Sequence, residues 1–205
     1  MKRRKWMGVM LAAAIGFVVT GTARAQDASA ADKEKALALL ESSKKEVLAA
    51  TKGLSEAQWT FKAGPDRWSI AECMEHIAAA EDFIRGTIEQ NVLKAPAAPD
   101  RDIAKIDAGI LAMVPDRSNK VQAPDPLKPT NRFGSPEASI KHFVESRAMT
   151  EDFLKKTADL RGHAVDSPLG GKWDAYEFVL LIGAHSERHT KQIEEVKASP
   201  GYPAK

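Results

Sequence analysis

The chain has 205 residues, with 30 lysines and arginines against 28 acids and a formal charge of +2. Five of those bases and none of the acids fall in residues 1–25, so the remainder holds 25 bases against 28 acids and carries about −3 with neutral histidine. That balance excludes the basic patch that nucleic-acid binding requires, and the single cysteine, Cys73, excludes an intramolecular disulfide.

Lys2, Arg3, Arg4 and Lys5 precede an apolar run from Met7 to Val19, and Ala23-Arg24-Ala25 is an A-x-A site. This is the pattern of a secretory signal peptide over residues 1–25. Its apolar run is too short to span a bilayer comfortably. The expected mature chain begins at Gln26, is periplasmic or secreted, and meets the membrane only during export. An uncleaved anchor is the alternative, and the A-x-A site speaks against it. Arg3-Arg4 is a loose match to a twin-arginine signal, so the general secretory route is the preferred one. The 180 residues that follow position 25 suit one domain with a sizeable core.

Residues 26–31 (QDASAA) are small and polar and read as a disordered start to a domain over residues 32–198. A first helix is expected near 32–52, with Leu37, Leu40, Val47 and Leu48 as its apolar stripe and Lys52-Gly53 as its end. Ser55 with Gln58 can cap one short turn. Trp59, Phe61 and Trp68 read as a packing cluster under the following loop, with an aromatic ligand pocket as the less favoured reading. A second helix is expected near 69–94. Ser69 and Glu72 form its capping box, and Cys73, His76, Ile77, Ala80, Ile84 and Ile88 make its inward face.

Seven prolines between Pro96 and Pro136 mark the least regular part of the chain. Ile103, Ile106, Ile110 and Leu111 suggest a short helix within it. The rest reads as an extended crossover, serving either function or the strapping together of parallel helices. A third helix, near 136–160, opens with Ser135 as N-cap and Pro136 at N1. Ile140, Phe143, Val144, Phe153 and Leu154 supply its packing face, and His142 flanks it. His163 lies in the next loop with no partner at a defined spacing. No strand pattern is visible.

The fourth helix, near 174–198, carries the strongest signal. Asp174 and Glu177 match a capping box, with Trp173 and Phe178 placed as a hydrophobic staple. Phe178, Ile182, His185, His189, Ile193 and Val196 recur at steps of four, three, four, four and three, the spacing of one helix face. Two histidines therefore occupy core positions one turn apart, a spacing at which side chains are neighbours. An inward imidazole pair of this kind chelates a transition metal. Two buried histidines hydrogen-bonded to their surroundings are the other reading.

Four amphipathic helices, with inward histidines on the second and fourth, point to an all-α four-helix bundle. The stretches LSEAQWTFKAGPDRWSIAECMEHIAAAEDF and AHSERHTKQIEEV resemble the DinB/YfiT-like superfamily of metal-binding bundles, over roughly Ala31 to Lys197. The resemblance implies a DinB-like bundle with a long crossover between its second and third helices. It also implies a divalent metal held by His76, His185 and His189. Zinc, nickel and iron all suit three imidazole nitrogens. Family members include thiol-dependent transferases and isomerases; an export signal argues against a cytosolic thiol cosubstrate.

Two functions follow. One is an exported metal-dependent hydrolase or transferase acting on a small molecule. The other is a metal- or ligand-binding bundle without catalysis, with a homodimer as one expected assembly. Glu72 is the nearest candidate for a general base, Tyr176 or Asp174 can line the mouth, and Gln192 lies one turn beyond His189 as a partner for its ring.

Overall fold

The structure, a computed structural model, describes residues 27–98 and 100–204. The signal peptide expected over residues 1–25 and the cleavage point at Gln26 lie outside the described residues. Six helices run Ala30–Thr51 (α1), Glu56–Thr60 (α2), Ile70–Gln90 (α3), Ile103–Met113 (α4), Pro136–Lys156 (α5) and Ala175–Lys197 (α6). The four long ones form the bundle: α1 and α3 both pack on α6, and α5 packs chiefly on α3 and α1.

Local chemistry sets the helix starts. Capping boxes open α1 (Ser29, Asp32), α2 (Ser55, Gln58), α3 (Ser69, Glu72) and α6 (Asp174, Glu177), each satisfying backbone donors that the helix cannot. The box at Ser29 starts α1 two residues before the expected Asp32, and Ala28 is already buried. The stretch read as a disordered start is thus in part helical. Helix ends are set by packing and differ more. α3 stops at Gln90 and is followed by a separate 3₁₀ turn, Val92–Lys94. α5 stops at Lys156 rather than near 160, because Thr157 turns extended and Leu160 is drawn into the core.

The loop between α5 and α6 contains a hairpin that the sequence does not announce. Strand β1 (Ala164–Asp166) pairs antiparallel with β2 (Lys172–Asp174), with Val165 opposite Trp173. Strands of three residues are too short to show an alternation. Gly170 and Gly171 take φ of 93° and 74° in its turn, which other residues reach only with strain. The Trp173 and Phe178 rings meet edge-on at 5.7 Å, as a staple should.

Between α3 and α5, helix α4 packs on α6, and a 3₁₀ turn at Asp125–Leu127 packs on α3. In the aromatic cluster, Trp59 is buried and Phe61 and Trp68 pack against the same core half as Ile70, Cys73, Met74 and Ile193. Cys73 is fully buried, and burial pushes its thiol up to about 12, as for a small core residue. α6 packs tightly on α1 at Gly183, where a Cβ would lie 2.6 Å from Leu39 Cγ. At the bundle's centre, Arg147 of α5 lies one turn beyond Phe143 and is completely buried. It donates to both carboxylate oxygens of Glu81 (α3), to Leu40 O and Ser43 Oγ (α1), and to Ser186 Oγ (α6). One guanidinium therefore ties all four helices.

Candidate metal centre

His76 sits two turns into α3, and His185 and His189 lie one turn apart in mid-α6. Packing of α3 on α6 brings the three rings together. His185 Nε2 is 3.1 Å from His76 Nε2 and 3.1 Å from His189 Nε2. One ring nitrogen from each lies within 4.8 Å of the others, and among the described residues this is the one cluster of histidine, cysteine and carboxylate groups close enough to hold a metal ion. Metal–nitrogen bonds of about 2.0–2.1 Å set neighbouring ligand nitrogens roughly 2.8–3.4 Å apart, for angles from square to tetrahedral. Both spacings to His185 fit that range.

Proton positions follow from the outer partners. His76 Nδ1 is 2.8 Å from the carbonyl of Leu127, which can only accept, so that nitrogen carries the proton. His189 Nδ1 is 2.8 Å from Gln192 Oε1. Arg117 Nη1 donates to the same Gln192 atom at 3.3 Å, which identifies it as the amide oxygen, so His189 Nδ1 is the donor there too. Both rings thus turn an Nε2 lone pair toward His185 Nε2. A single N–H on His185 can satisfy one of them. The other faces it unsatisfied, a conflict that a cation shared by the three rings would resolve.

The electrostatics agree. Burial lowers the pKa of all three imidazoles. Their mutual proximity adds to this at His185 and His189, which fall well below the ordinary value. All three are neutral at pH 7, the form that ligates. His76 and His189 are buried, whereas His185 is partly open. The Trp68 ring lies against the cluster, 4.8 Å from the His76 ring and 6.1 Å from that of His189.

Other candidates lie elsewhere. Glu72 closes the α3 capping box and pairs with Lys62 at 2.7 Å, so its carboxylate is turned to those partners and is not grouped with the three histidines. Asp174 and Tyr176 do not line the mouth; they belong to a buried cluster at the start of α6. There Arg101 bridges Asp174 and Glu177, Arg161 reaches Asp174 and Asp107, and the Tyr176 hydroxyl donates to Asp32 O. His142 bonds Asp82 and stacks on Phe133. His163 contacts Ala95 O and Asp159.

The crossover supplies what sequence reasoning missed. Glu75, next to His76, accepts from the backbone amides of Thr130, Asn131 and Arg132 and from the Arg132 side chain. This clamp fixes the turn that presents the Leu127 carbonyl. Arg188 of α6 donates to the carbonyls of Val114, Asp116 and Asn119, holding the end of α4. Two grooves flank α3, one of about 400 Å³ near Glu75 and Pro129 and one of about 530 Å³ near Phe83 and Leu127; neither is lined by the histidines.

The profile of the DinB superfamily matches residues 21–193. The chain belongs to the DinB superfamily. Within the curated proteins, this DinB-superfamily chain is 26% identical over 150 residues to the uncharacterized protein YuaE of Bacillus subtilis (strain 168), covering 71% of the chain and 87% of YuaE. Among solved structures it resembles YfiT of Bacillus subtilis, described as a probable metal-dependent hydrolase with an unusual four-helix bundle topology. That likeness has a TM-score of 0.54 at 14% identity and covers 86% of this chain and 91% of YfiT. It establishes the fold, a four-helix bundle.

Proposed function

We propose that this protein binds one divalent metal ion through His76, His185 and His189 and uses it to hydrolyse a small molecule. The observation that carries the reading is the direction of the lone pairs. Leu127 O and Gln192 Oε1 fix protons on the outer nitrogens of His76 and His189, and the inner nitrogens converge on His185. The description of YfiT as a probable metal-dependent hydrolase supports the reaction class. A bound ion supplies Lewis acidity that polarises a carbonyl or phosphoryl group and makes water a stronger nucleophile near neutral pH. The chain's part is to hold three neutral imidazoles rigidly, to cover them with Trp68, and to leave the His185 side accessible. The metal is zinc, nickel or iron, and the signal-peptide pattern at residues 1–25 supports an activity outside the cytoplasm.

One observation favours the second reading, a metal-binding bundle without catalysis. The carboxylates nearest His76 in sequence, Glu72 and Glu75, are both committed to structural hydrogen bonds, so neither is free to move protons for a substrate. Elemental analysis of the purified protein, followed by esterase, amidase and phosphatase assays with and without added metal, separates the readings. Stoichiometric metal with activity that vanishes in His185→Ala supports the hydrolase. Stoichiometric metal with no turnover supports the binding bundle, and no metal under any loading condition refutes both.

A further inference from the structure

Arg117 lies in the crossover just past α4, more than forty residues from any of the three histidines in sequence except through the fold. Its side chain is 16% exposed and reaches across to α6. There it donates from Nε and Nη2 to the two carboxylate oxygens of Glu195, at 2.6 and 2.8 Å, and from Nη1 to Gln192 Oε1 at 3.3 Å. Gln192 Oε1 in turn accepts from His189 Nδ1.

An amide side chain has two nearly isosteric ends, one accepting and one donating. A Gln192 turned over would offer its NH₂ to His189 Nδ1. That nitrogen would then accept, and the imidazole proton would move to Nε2, closing the lone pair that faces His185. Nothing on α6 itself prevents this. Arg117 does, because a guanidinium can only donate and must therefore face the amide oxygen. Glu195 holds the guanidinium with two hydrogen bonds, a bidentate grip that fixes its plane.

We propose that Arg117 is a positioning residue for the histidine cluster: it selects the orientation of the Gln192 amide and thereby the tautomer of His189. The inference rests on the metal-binding reading of those histidines, and it assigns the crossover a role in tuning them. Partners outside the direct ligands change metal affinity by about 10–100-fold. Arg117 acts through one intervening residue and belongs at the lower end.

The test uses the full chain and two readouts. Two-bond proton–nitrogen correlation spectra of the metal-free protein report the His189 tautomer, and chelator competition reports affinity for Zn²⁺. Wild type is expected to show the Nδ1–H form. Arg117→Ala is expected to show both tautomers and to bind Zn²⁺ about tenfold more weakly. Arg67→Ala, which removes another cation beside Glu195, is expected to leave both readouts unchanged. The decisive background is Gln192→Glu, whose carboxylate has no donating end to turn. There, adding Arg117→Ala is expected to change neither the tautomer nor the affinity. An equal loss in both backgrounds would show that Arg117 acts as charge or as a strap, and would overturn the proposal, as would an unchanged tautomer in Arg117→Ala. The spectra need no metal. If wild type binds no Zn²⁺, the proposed function fails while the spectra alone still decide the role of Arg117.

Discussion

Arg147 grips both carboxylate oxygens of Glu81, from Nε at 2.8 Å and from Nη2 at 2.9 Å, where neither residue exposes more than 2% of its surface. A buried pair repays its desolvation only when every donor and acceptor is used. Here the remaining Arg147 hydrogens reach Leu40 O, Ser43 and Ser186. Removing one partner leaves a buried charge unpaired, which costs about 3–5 kcal/mol. Arg147→Ala or Glu81→Ala should therefore lower stability by that amount in urea titrations. Arg147→Met with Glu81→Leu should recover most of the loss; a double variant as unstable as the singles would show that the hydrogen bonds, not the charges, matter.

The histidine cluster sets how stability responds to metal and pH. Free imidazole titrates at about 6.5, and burial holds His76, His185 and His189 below that. Groups with lowered folded pKa bind fewer protons than the unfolded chain as pH falls through about 6.5, so they destabilise the fold on acidification. At neutral pH no protons oppose the metal. Chelation at pH 7.5 should lower the melting temperature by on the order of 10 °C for an ion held at a thousand times its Kd. At pH 5 chelation should do little. His185→Ala and His189→Ala should abolish the effect, whereas His142→Ala and His163→Ala should retain it. Scanning calorimetry with and without chelator reads all four.

Glu177 responds with the opposite sign. Burial first, then the neighbouring Asp174, pushes its carboxyl up to about 7, and one of its oxygens has no hydrogen-bond partner. A raised carboxyl favours the fold fully below its ordinary value near 4.5, and that contribution is lost as pH rises toward 7. Glu177→Gln, which mimics the protonated form, should therefore gain stability relative to wild type between pH 4.5 and 7. A constant difference across that range would mean that Glu177 stays ionised between Arg101 and Arg161.

Glu75 ties down the crossover. Burial alone would raise its carboxyl, but the amides of Thr130, Arg132 and Asn131, with the Arg132 side chain, hold it below the ordinary value. A depressed carboxyl stabilises above its unfolded pKa and loses that contribution as pH falls through the folded one. Glu75→Gln should cost more at pH 7 than at pH 3. It should also speed amide exchange at Thr130, Asn131 and Arg132, measured by hydrogen exchange with mass spectrometry. Protection unchanged at those three amides would show that the turn holds itself.

The bundle was readable because its helices announce themselves: Ser69 with Glu72 and Asp174 with Glu177 are local signals, and His185 and His189 lie on a face that periodicity reveals. Helix ends were not, since Leu160 leaves α5 for a tertiary reason that no cap encodes. Of the partners of the histidines, Gln192 was legible one turn beyond His189, whereas those supplied by the crossover were not. Leu127 acts through its backbone carbonyl, which any residue carries, and Arg117 acts across 75 residues of chain from Gln192. Arg147 carries a charge into the core, and its partners Glu81, Ser43 and Ser186 come from three other helices, a convergence that no local spacing encodes.

His76 and His185 lie 109 positions apart in the chain, whereas His185 and His189 lie four apart on one helix. Winding of α6 alone is enough to set the second pair side by side. The third imidazole joins it only through the docking of α3 on α6, and the turn at Leu127 then meets its outer nitrogen. The three-nitrogen set is thus a property of the closed bundle and of no single helix, so a change that loosens α3 from α6 would disperse it while leaving the two-nitrogen pair intact.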